Sequence, residues 1–464
     1  MKIDPRIFRT YDIRGINDEQ LNDEVAKLIG KGFGTYLRNK ETADALVCRD
    51  TRVTSEAYEK SLIEGLLESG INVHTMGLAL SSHMYFARQH YGIDGGVMVT
   101  ASHNPPNYNG FKLCSGINAI IDSEIQKVKK IIEDGQFATG KGEIFDKSEV
   151  NEIYYEEIRK RISLKKPLKV IIDAGHQTPS LYIPKFLESL GCEVVTLHAN
   201  IDSSFPAGIP DPVNVEYAKV TSKAVLEHNA DLGIIMDGDG DRGGIIDNNG
   251  KSWFGDMILS VLVRDFLPSN PGATVIVEVK DSEIVAEDTE RLGGKAIFWK
   301  TGHALLDHKV HEEKAILCGE MSCHYWVTKD WYYFDDTVIA LAHVLRIISE
   351  SSLPLSDIMA EIPQYPSTPE IRFQCPEDMM STVVDEGVEY FRSQCDRVID
   401  VDGIRGYKHN GWFLLRKSNT QPLLSVRAEA KNTEDLEKLK IFVADFFKRY
   451  DFLDFDWNRQ YDEA

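Results

Sequence analysis

A serine that could act as a nucleophile lies in residues 100–106, TASHNPP. The two prolines prevent a helix from continuing there and predict that Ser102 lies on an exposed turn. A serine hydroxyl is a weak nucleophile until a base or a metal ion activates it. His103 is adjacent, and Lys112 follows closely enough to neutralise an anion. An isolated SHNP sequence is more often a plain Asn-Pro turn, and the chain has no G-x-S-x-G motif, which disfavours a serine hydrolase of the nucleophile-elbow type.

Residues 237–242, DGDGDR, place three carboxylates at alternate positions. The intervening glycines free the backbone, and hard oxygen ligands at this density suit Mg²⁺. The segment fails as a calcium EF-hand, because position six is Arg242 rather than Gly and position twelve is Asn248 rather than Glu. It also matches G-x-G-x-x-G, but Asp239 and Asp241 would repel the pyrophosphate that a dinucleotide loop binds through bare backbone amides. We therefore favour a magnesium site over a solvated acidic turn.

Two further segments, residues 319–322 and residues 416–422, carry groups suited to a sugar phosphate. Residues 319–322, GEMS, offer Glu320 and Ser322 as partners for paired hydroxyls, although such a short pattern alone is more often a plain turn. His303, which follows Lys-Thr-Gly, is a candidate acid/base imidazole.

Residues 416–422, RKSNTQP, combine a guanidinium, hydroxyls and amides between two expected strands, and Arg427 lies on the second of them. An arginine fork binds two phosphate oxygens, and hydroxyls and backbone amides add further donors. A basic β-turn is the alternative. Together the four segments supply a nucleophile, a metal site, a reader of hydroxyls and a distal phosphate clamp, which is the inventory of phosphoryl transfer.

The overall composition is consistent with a small anionic ligand. The 464-residue chain has a formal net charge of −21 at pH 7, which argues against non-specific binding to nucleic acid or to an anionic membrane. No apolar run approaches the roughly 20 residues of a membrane span. Residues 1–10 lack the apolar core of a secretion signal, and the seven scattered cysteines form no C-x-x-C pair. We expect a soluble, cytoplasmic protein of about three domains.

An internal repeat predicts how these segments are positioned. Apolar, β-branched runs in residues 43–52, 167–176 and 272–282 each begin a strand–helix–strand–helix–strand pattern, and the third strand ends in one of the three polar segments described first. Such alternation predicts mixed or parallel sheets covered by helices. Ligands gather at the carboxyl ends of strands in open α/β sheets, so the three loops could converge on one cleft. The Pro-rich residues 363–370 predict a linker to a different, α+β domain.

TASHNPP, DGDGDR, GEMS and RKSNTQP, in this order and spacing, resemble the α-D-phosphohexomutase family, and most closely its phosphomannomutase/phosphoglucomutase branch. The resemblance covers essentially the whole chain, from FRTYDIRG at residues 8–15 through the tail. It implies three related α/β domains with mixed sheets and a smaller C-terminal α+β domain around a central cleft. The implied domains are residues 1–150 with the phosphoserine loop, 151–250 with the metal loop, 251–365 with the sugar loop and 366–464 with the phosphate loop.

The resemblance also implies a role for each candidate residue. Ser102 would be phosphorylated in the active enzyme, and one Mg²⁺ would be held by Asp237, Asp239, Asp241 and a phosphoserine oxygen. The substrate-binding residues would be Tyr11, Arg14, Lys280, His303, Glu320, Ser322, His324, Arg416, Ser418, Asn419, Thr420 and Arg427. The catalytic residues would be Ser102, His103, Lys112, Arg242 and His303. The identity of the acid/base stays open between His303, His103 and Lys112.

The implied reaction interconverts hexose 1-phosphate and hexose 6-phosphate, with mannose, glucose or both as the sugar. Phospho-Ser102 would form a hexose 1,6-bisphosphate, which turns over within the cleft and also serves as an activator. Alternatives are a phosphoglucosamine mutase of the same family, a haloacid-dehalogenase-like phosphatase with Asp237 as nucleophile, and a non-enzymatic Ca²⁺- or sugar-binding module. The phosphatase leaves SHNP and the tail loop unexplained, and the module leaves the Ser–Lys–His group unexplained. The oligomeric state, monomer or dimer, stays open.

Two positions depart from the pattern that the resemblance predicts. Cys323 stands where we expect glycine in GEMSGH, and residues 173–176, DAGH, replace a more usual Asn-Gly turn. Neither position takes part in the implied chemistry, but Cys323 adjoins the implied sugar pocket.

Overall fold

The computed structural model describes residues 3–116, 118–418 and 422–458. The first unit forms a seven-stranded mixed sheet in the order β1-β5-β4-β2-β3-β7, with β6 paired to β5. Its strands are β1 (Ile13–Ile16), β2 (Asp44–Arg49), β3 (Asn72–Leu78), β4 (Gly95–Val99), β5 (Tyr108–Ser115), β6 (Asn118–Ala119) and β7 (Ile144–Asp146). Its helices are α1 (Asp23–Asn39), α2 (Ser55–Glu68), α3 (Ser81–Tyr91) and α4 (Ser123–Asp134), after a short 3-10 helix at Pro5–Ile7.

The second unit is a five-stranded mixed sheet in the order β12-β11-β10-β8-β9. A helix from the preceding connection, α5 (Val150–Arg159), packs against α3. The strands are β8 (Lys169–Asp173), β9 (Glu193–Leu197), β10 (Leu232–Met236), β11 (Gly243–Asp247) and β12 (Ser252–Trp253), and the helices are α6 (Pro179–Ser189) and α7 (Val215–His228).

The third unit is a four-stranded sheet in the order β14-β13-β15-β16. Its strands are β13 (Thr274–Glu278), β14 (Lys295–Trp299), β15 (Leu317–Gly319) and β16 (Tyr325–Val327). Its helices are α8 (Gly255–Phe266), α9 (Glu283–Arg291), α10 (His303–Glu313), α11 (Thr337–Glu350) and α12 (Leu355–Ala360), with a 3-10 turn at Leu267–Ser269.

The predicted repeat is confirmed, because the three sheets share one plan. In each sheet the first strand of the repeat lies between the second and the third, and all three run parallel, as in β3-β2-β4, β9-β8-β10 and β14-β13-β15. The next strand returns antiparallel to the third. The connections at that reversal are residues 100–107, 237–242 and 320–324, which are called the serine loop, the acidic loop and the sugar loop below. They therefore leave equivalent carboxyl ends of three similar sheets, where ligands gather in such folds.

The fourth unit is an antiparallel sheet in the order β17-β21-β20-β19-β18, against which two helices pack. Its strands are β17 (Ile371–Gln374), β18 (Arg397–Ile399), β19 (Ile404–Lys408), β20 (Gly411–Lys417) and β21 (Leu423–Ala430). Its helices are α13 (Glu377–Arg392) and α14 (Thr433–Phe447). The expected α+β tail is confirmed. No strand is predicted from the sequence at β19. None of the helices in the described residues is both long and apolar enough to span a bilayer.

A buried arginine attaches the fourth unit to the third. Arg405 on β19 is 0% exposed, and its Nη1 donates to the carbonyl oxygens of Val279 at 2.7 Å and Asp281 at 2.8 Å. Its Nη2 donates to a carboxylate oxygen of Glu283 at 2.6 Å, and the guanidinium lies 3.5 Å from the ring centroid of Trp412. The planar fork holds these acceptors in one fixed geometry and packs flat on the Trp412 ring, which an ammonium group could not do.

Replacing this guanidinium should weaken the attachment of the fourth unit. Arg405→Met keeps an apolar stem but leaves two carbonyl oxygens without their donor and the Glu283 carboxylate with the Tyr407 hydroxyl in place of an ion pair. We expect the free energy of unfolding to fall by about 3 kcal/mol or more, the scale of breaking a buried ion pair. The control is Arg449→Met, because Arg449 is exposed and its guanidinium lies over the rings of Tyr390 at 4.1 Å and Phe446 at 5.8 Å. Denaturant unfolding should place the control within about 0.5 kcal/mol of wild type, and equal stability of both variants would contradict this role of Arg405.

Candidate active site

Ser102 lies on the connection after β4 in a left-handed backbone conformation, with φ of 50°. Ser102 lies on a turn, as predicted, but the prediction that it is exposed is wrong, because Ser102 is only 3% exposed. Its Oγ donates to Asp237 Oδ2 at 2.5 Å and lies 3.0 Å from Nδ1 of His103. Burial, followed by the charge of Arg242, lowers the pKa of His103 well below its usual value. The candidate nucleophile therefore contacts both the acidic loop and an imidazole.

Arg52 holds the serine loop and is a residue that the sequence analysis misses. Its guanidinium, 4% exposed, donates to the carbonyl oxygens of Ser102, Asn104, Pro105 and Tyr108 at 2.8, 2.5, 2.8 and 2.9 Å. The sequence signal that could have found Arg52 is its position in RDTR, which directly follows β2. That strand pairs with β4, after which Ser102 lies. Carbonyl acceptors leave no trace in a sequence, so the contact itself could not be inferred.

The acidic loop forms a buried cluster of three carboxylates. Ligand atoms of Asp237, Asp239 and Asp241 lie within 4.8 Å of one another. Burial, followed by the charges of Asp241 and Asp239, raises the pKa of Asp237. Oδ1 of Asp239 and Oδ1 of Asp241 have no hydrogen-bond partner among the described residues. A Cβ on Gly238 would lie 2.8 Å from the Ser102 carbonyl oxygen, so glycine allows the two loops to approach this closely. The cluster fits a divalent cation with oxygen ligands.

Lys112 on β5 reaches into this cluster. It is 2% exposed, and its Nζ donates to Oδ2 of Asp239 at 2.6 Å, to Oδ2 of Asp241 and to Ser81 Oγ at 3.2 Å. Burial alone would lower the pKa of Lys112, but the two carboxylates raise it above its usual value. The side chain therefore stays an ammonium ion and offsets part of the negative charge.

The sugar loop is tied to the segment that precedes α10. Buried Glu320 accepts a hydrogen bond from the backbone N of Gly302 at 3.0 Å. Burial, followed by the charge of Glu278, raises the pKa of Glu320 to about 7. Glu278 also accepts from Thr301 Oγ1 at 2.7 Å. Ser322 is half-buried beside this network.

Two imidazoles stack next to the sugar loop. The rings of His303 and His324 have centroids 5.3 Å apart and an interplanar angle of 15°, and Tyr11 meets His303 edge-on at 4.9 Å. Burial lowers the pKa of both histidines, and the charge of Lys112 lowers that of His303 further. Arg242 Nε donates to His324 Nε2 at 3.1 Å, which connects the acidic loop to the sugar loop.

The tail contributes one well-placed arginine. Arg416 is buried, and its Nε donates to Asp402 Oδ2 at 2.8 Å, while its Nη2 has no hydrogen-bond partner within the described ranges. Ser418 is half-buried at the end of the same strand. Asn419 and Thr420 lie outside the described residues, so their predicted contacts stay predictions.

The remaining candidates contact other site residues. Arg427 donates from Nη1 to the Lys280 carbonyl oxygen and lies 2.8 Å from Met321 Sδ, so this nitrogen is turned into the protein. Arg14 donates from Nη1 to the side-chain oxygen of Asn104 on the serine loop.

The departure at Cys323 has a backbone explanation. Cys323 is buried with φ of 71°, in the left-handed region that glycine adopts without steric cost. Its Sγ lies 3.8 Å from the Met321 carbonyl oxygen. A cysteine therefore keeps the loop geometry for which glycine is the expected residue.

Family models of four successive domains match the chain. They are described as phosphoglucomutase/phosphomannomutase alpha/beta/alpha domain I over residues 5–139, domain II over 152–250, domain III over 254–365 and the C-terminal domain over 370–446.

Individual relatives give the same result along almost the whole chain. The phosphomannomutase/phosphoglucomutase of Pseudomonas aeruginosa is 34% identical over 445 residues, covering 96% of each chain. The phosphoglucomutase of Neisseria meningitidis serogroup B is 36% identical over 437 residues, covering 94% of this chain and 95% of that one. The crystal structure of a phosphoglucomutase/phosphomannomutase family protein from Burkholderia thailandensis has a TM-score of 0.91 at 33% identity, covering 97% of this chain and 98% of that one.

Weakening the Arg52 contacts should misplace the nucleophile. Arg52→Lys keeps the charge but cannot bridge four carbonyl oxygens, so we expect kcat/KM of the phosphotransfer reaction to fall about 100-fold, the scale of a misplacement near 1 Å. The control is Arg49→Lys. Arg49 lies in the same RDTR segment, but its Nε donates to the Glu59 carboxylate at 3.0 Å and not to the loop that carries Ser102. Circular dichroism should show both variants folded. Equal kcat/KM for the two variants would remove Arg52 from the account.

Proposed function

The chain belongs to the phosphoglucomutase/phosphomannomutase family and is a phosphohexomutase, and we propose that Ser102 carries the phosphoryl group between the two ends of a hexose phosphate. The observation that carries this proposal is the contact of Ser102 Oγ with Asp237 at 2.5 Å and with His103 Nδ1 at 3.0 Å. A nucleophile, an acidic cluster and a base within hydrogen-bond reach are the parts that such a transfer needs.

In the proposed reaction a hydroxyl of the hexose monophosphate attacks the phosphorus of phospho-Ser102. The new O–P bond forms as the Ser102 Oγ–P bond breaks, and the product is a hexose 1,6-bisphosphate. One site group takes the hydroxyl proton, and the choice stays open between His303 and His103. Lys112, which its two carboxylates hold as an ammonium ion, could act only as the acid. The bisphosphate then reorients and returns its other phosphoryl group to Ser102.

We propose that Asp237, Asp239 and Asp241 hold one Mg²⁺ together with an oxygen on Ser102. The two carboxylate oxygens without hydrogen-bond partners support this assignment. When bound, the ion supplies positive charge that offsets the charge on the transferring phosphoryl oxygens. Lys112 and Arg242 add fixed positive charge beside the same cluster, which favours a transition state that spreads negative charge over those oxygens.

Binding of the rest of the substrate falls to the third and fourth units. Glu320 and Ser322 would bind sugar hydroxyls, with His324 beside the ring. Nη2 of buried Arg416, which has no hydrogen-bond partner among the described residues, would bind the phosphate that is not reacting. That remote binding energy holds the sugar in position for chemistry. The other residues proposed to line the site are Tyr11, Arg14, Lys280, Ser418, Asn419, Thr420 and Arg427.

We also propose domain limits at residues 1–150, 151–250, 251–365 and 366–464. Each of the four family matches lies inside one of these ranges, which supports the division.

Removing the proposed carrier should stop turnover without unfolding the protein. We expect Ser102→Ala to lower mutase kcat by about 10⁴-fold or more, the scale of losing a covalent nucleophile, while hexose phosphate still binds. Ser203→Ala is the control, because Ser203 Oγ donates to the Thr51 carbonyl oxygen at 2.5 Å and takes no part in the proposed chemistry. A coupled assay with trace bisphosphate measures turnover. Near-normal activity of Ser102→Ala together with loss of activity in Asp237→Asn would favour the phosphatase alternative instead.

Glucose and mannose phosphates should both be substrates. The two sugars differ only at carbon 2. The family resemblance implies that Glu320 and Ser322 bind the hydroxyls at carbons 3 and 4, which both sugars present alike. A site without a hydrogen bond to a group cannot strongly reject its epimer, so we expect kcat/KM for the two 1-phosphates to agree within roughly 100-fold. Met321 between the readers offers a soft thioether contact.

Glucosamine 1-phosphate should be a much poorer substrate in a side-by-side assay on one preparation. A preference for glucosamine phosphate would favour the glucosamine branch of the family. A gap above roughly 10⁴-fold between mannose and glucose would mean that another contact reads carbon 2.

A further inference from the structure

The hydrogen bonds of His324 determine which ring nitrogen carries its proton. Nδ1 lies 2.6 Å from Asp335 Oδ2, and Nε2 lies 3.1 Å from Arg242 Nε. A guanidinium has only donors, so His324 Nε2 must be the unprotonated acceptor. The ring proton is therefore on Nδ1, where it is donated to the Asp335 carboxylate.

We propose that Asp335 is a positioning residue, which fixes the proton of His324 on Nδ1 and through His324 aims the guanidinium of Arg242 at the reacting phosphoryl group. The proposal rests on the proposed function of Arg242 and His324 in this cleft. The sequence analysis gives Asp335 no role. The effect is indirect, because Asp335 contacts the imidazole and not the substrate.

The segment that carries Asp335 is held rigidly. Asp335 is 2% exposed and lies just before α11. The next residue, Asp336, caps that helix by accepting from the backbone N of Val338 at 3.1 Å, and it accepts from Tyr154 OH at 2.6 Å. Thr337 Oγ1 donates to the carbonyl oxygen of Asp241 at 2.6 Å. The carboxylate is therefore placed by contacts with α5 and with the acidic loop itself.

Arg242, which contacts His324 on the side opposite Asp335, is itself held in place. Its backbone N donates to Asp237 Oδ1 at 3.1 Å, and its Nη1 lies 3.5 Å from Asp211 Oδ1. With Nε bound to His324, the plane of the guanidinium is set by two side chains. If the proton of His324 moved to Nε2, two N–H donors would face each other and this contact would be lost.

A second metal site is the competing interpretation, since Asp241, His324 and Asp335 also offer ligand atoms within 4.8 Å of one another. Both nitrogens of His324, however, already face hydrogen-bond partners at 2.6 and 3.1 Å. A metal ligand would have to give up one of these bonds. The geometry favours the positioning role.

The test combines kinetics with the tautomer of His324. Asp335→Ala removes the acceptor, and we expect kcat to fall about 10- to 100-fold, the scale on which partners that orient an imidazole act. The change in KM should be smaller than the change in kcat, because Arg242 is proposed to act on charge that develops during transfer. In protein with ¹⁵N-labelled histidine, the His324 signal, assigned by its loss in His324→Gln, should show the proton on Nδ1 in wild type. Asp335→Ala should reduce that population.

Asp307→Asn is the matched control. Asp307 is also buried in the third unit, but it accepts from Trp326 Nε1 at 2.8 Å, which an asparagine oxygen can replace. This variant should keep both kcat and the His324 tautomer of wild type. A loss of kcat in Asp307→Asn as large as that in Asp335→Ala would show that the effect does not depend on the contact with His324, and would overturn the proposal.

Three results would overturn the inference while leaving the proposed function intact. They are a His324 proton on Nε2 in the wild type, unchanged kcat in folded Asp335→Ala, and loss of kcat in that variant with the Nδ1 tautomer retained. If Asp335→Ala does not fold, Asp335→Asn replaces it, and kcat must again follow the Nδ1 population. Failure of the proposed function itself is distinguishable, because Ser102→Ala would then stay active whatever the tautomer of His324.

Discussion

The unbalanced charge of three buried aspartates is the constraint from which the rest of the site follows. Carboxylates within 4.8 Å of one another repel strongly away from water, so they need fixed positive charge and hydrogen-bond donors. Lys112 supplies an ammonium group from the first unit, and the Ser102 hydroxyl donates a hydrogen bond to Asp237. These contacts join the first two units at the point where chemistry is proposed. They still leave one oxygen each of Asp239 and Asp241 for a cation.

The triplicated sheet explains how such different groups meet. Equivalent connections after β4, β10 and β15 carry a serine, an acidic cluster and Glu320, the proposed sugar-binding residue, so one plan positions three different sets of groups. The fourth unit is held against the third by Arg405 and by Asp402. Oδ2 of Asp402 accepts from Arg416 Nε and from the backbone N of Thr301, which ties the proposed phosphate-binding arginine to the segment before α10.

Much of the fold, and the loops that carry the candidate site residues, could be predicted from the sequence, because apolar runs and polar loops recur in a fixed order. The environment of those residues could not. Ser102 is buried, and its Oγ donates to Asp237, which lies 135 positions along the chain. Arg52 acts on carbonyl oxygens, which every residue has, and Asp335 acts through the side chain of His324. Such contacts depend on tertiary packing and leave no local pattern.

The central claim is that Ser102 gives up its phosphoryl group under the control of the acidic cluster. The most direct measurement is a single turnover of phosphorylated, metal-stripped protein with hexose 6-phosphate, followed by intact and peptide mass spectrometry with and without added Mg²⁺. The account predicts that the phosphoryl mass resides on Ser102 and leaves it rapidly only when Mg²⁺ is present. Transfer at the same rate without metal, or a phosphoryl group carried by another residue, would contradict it.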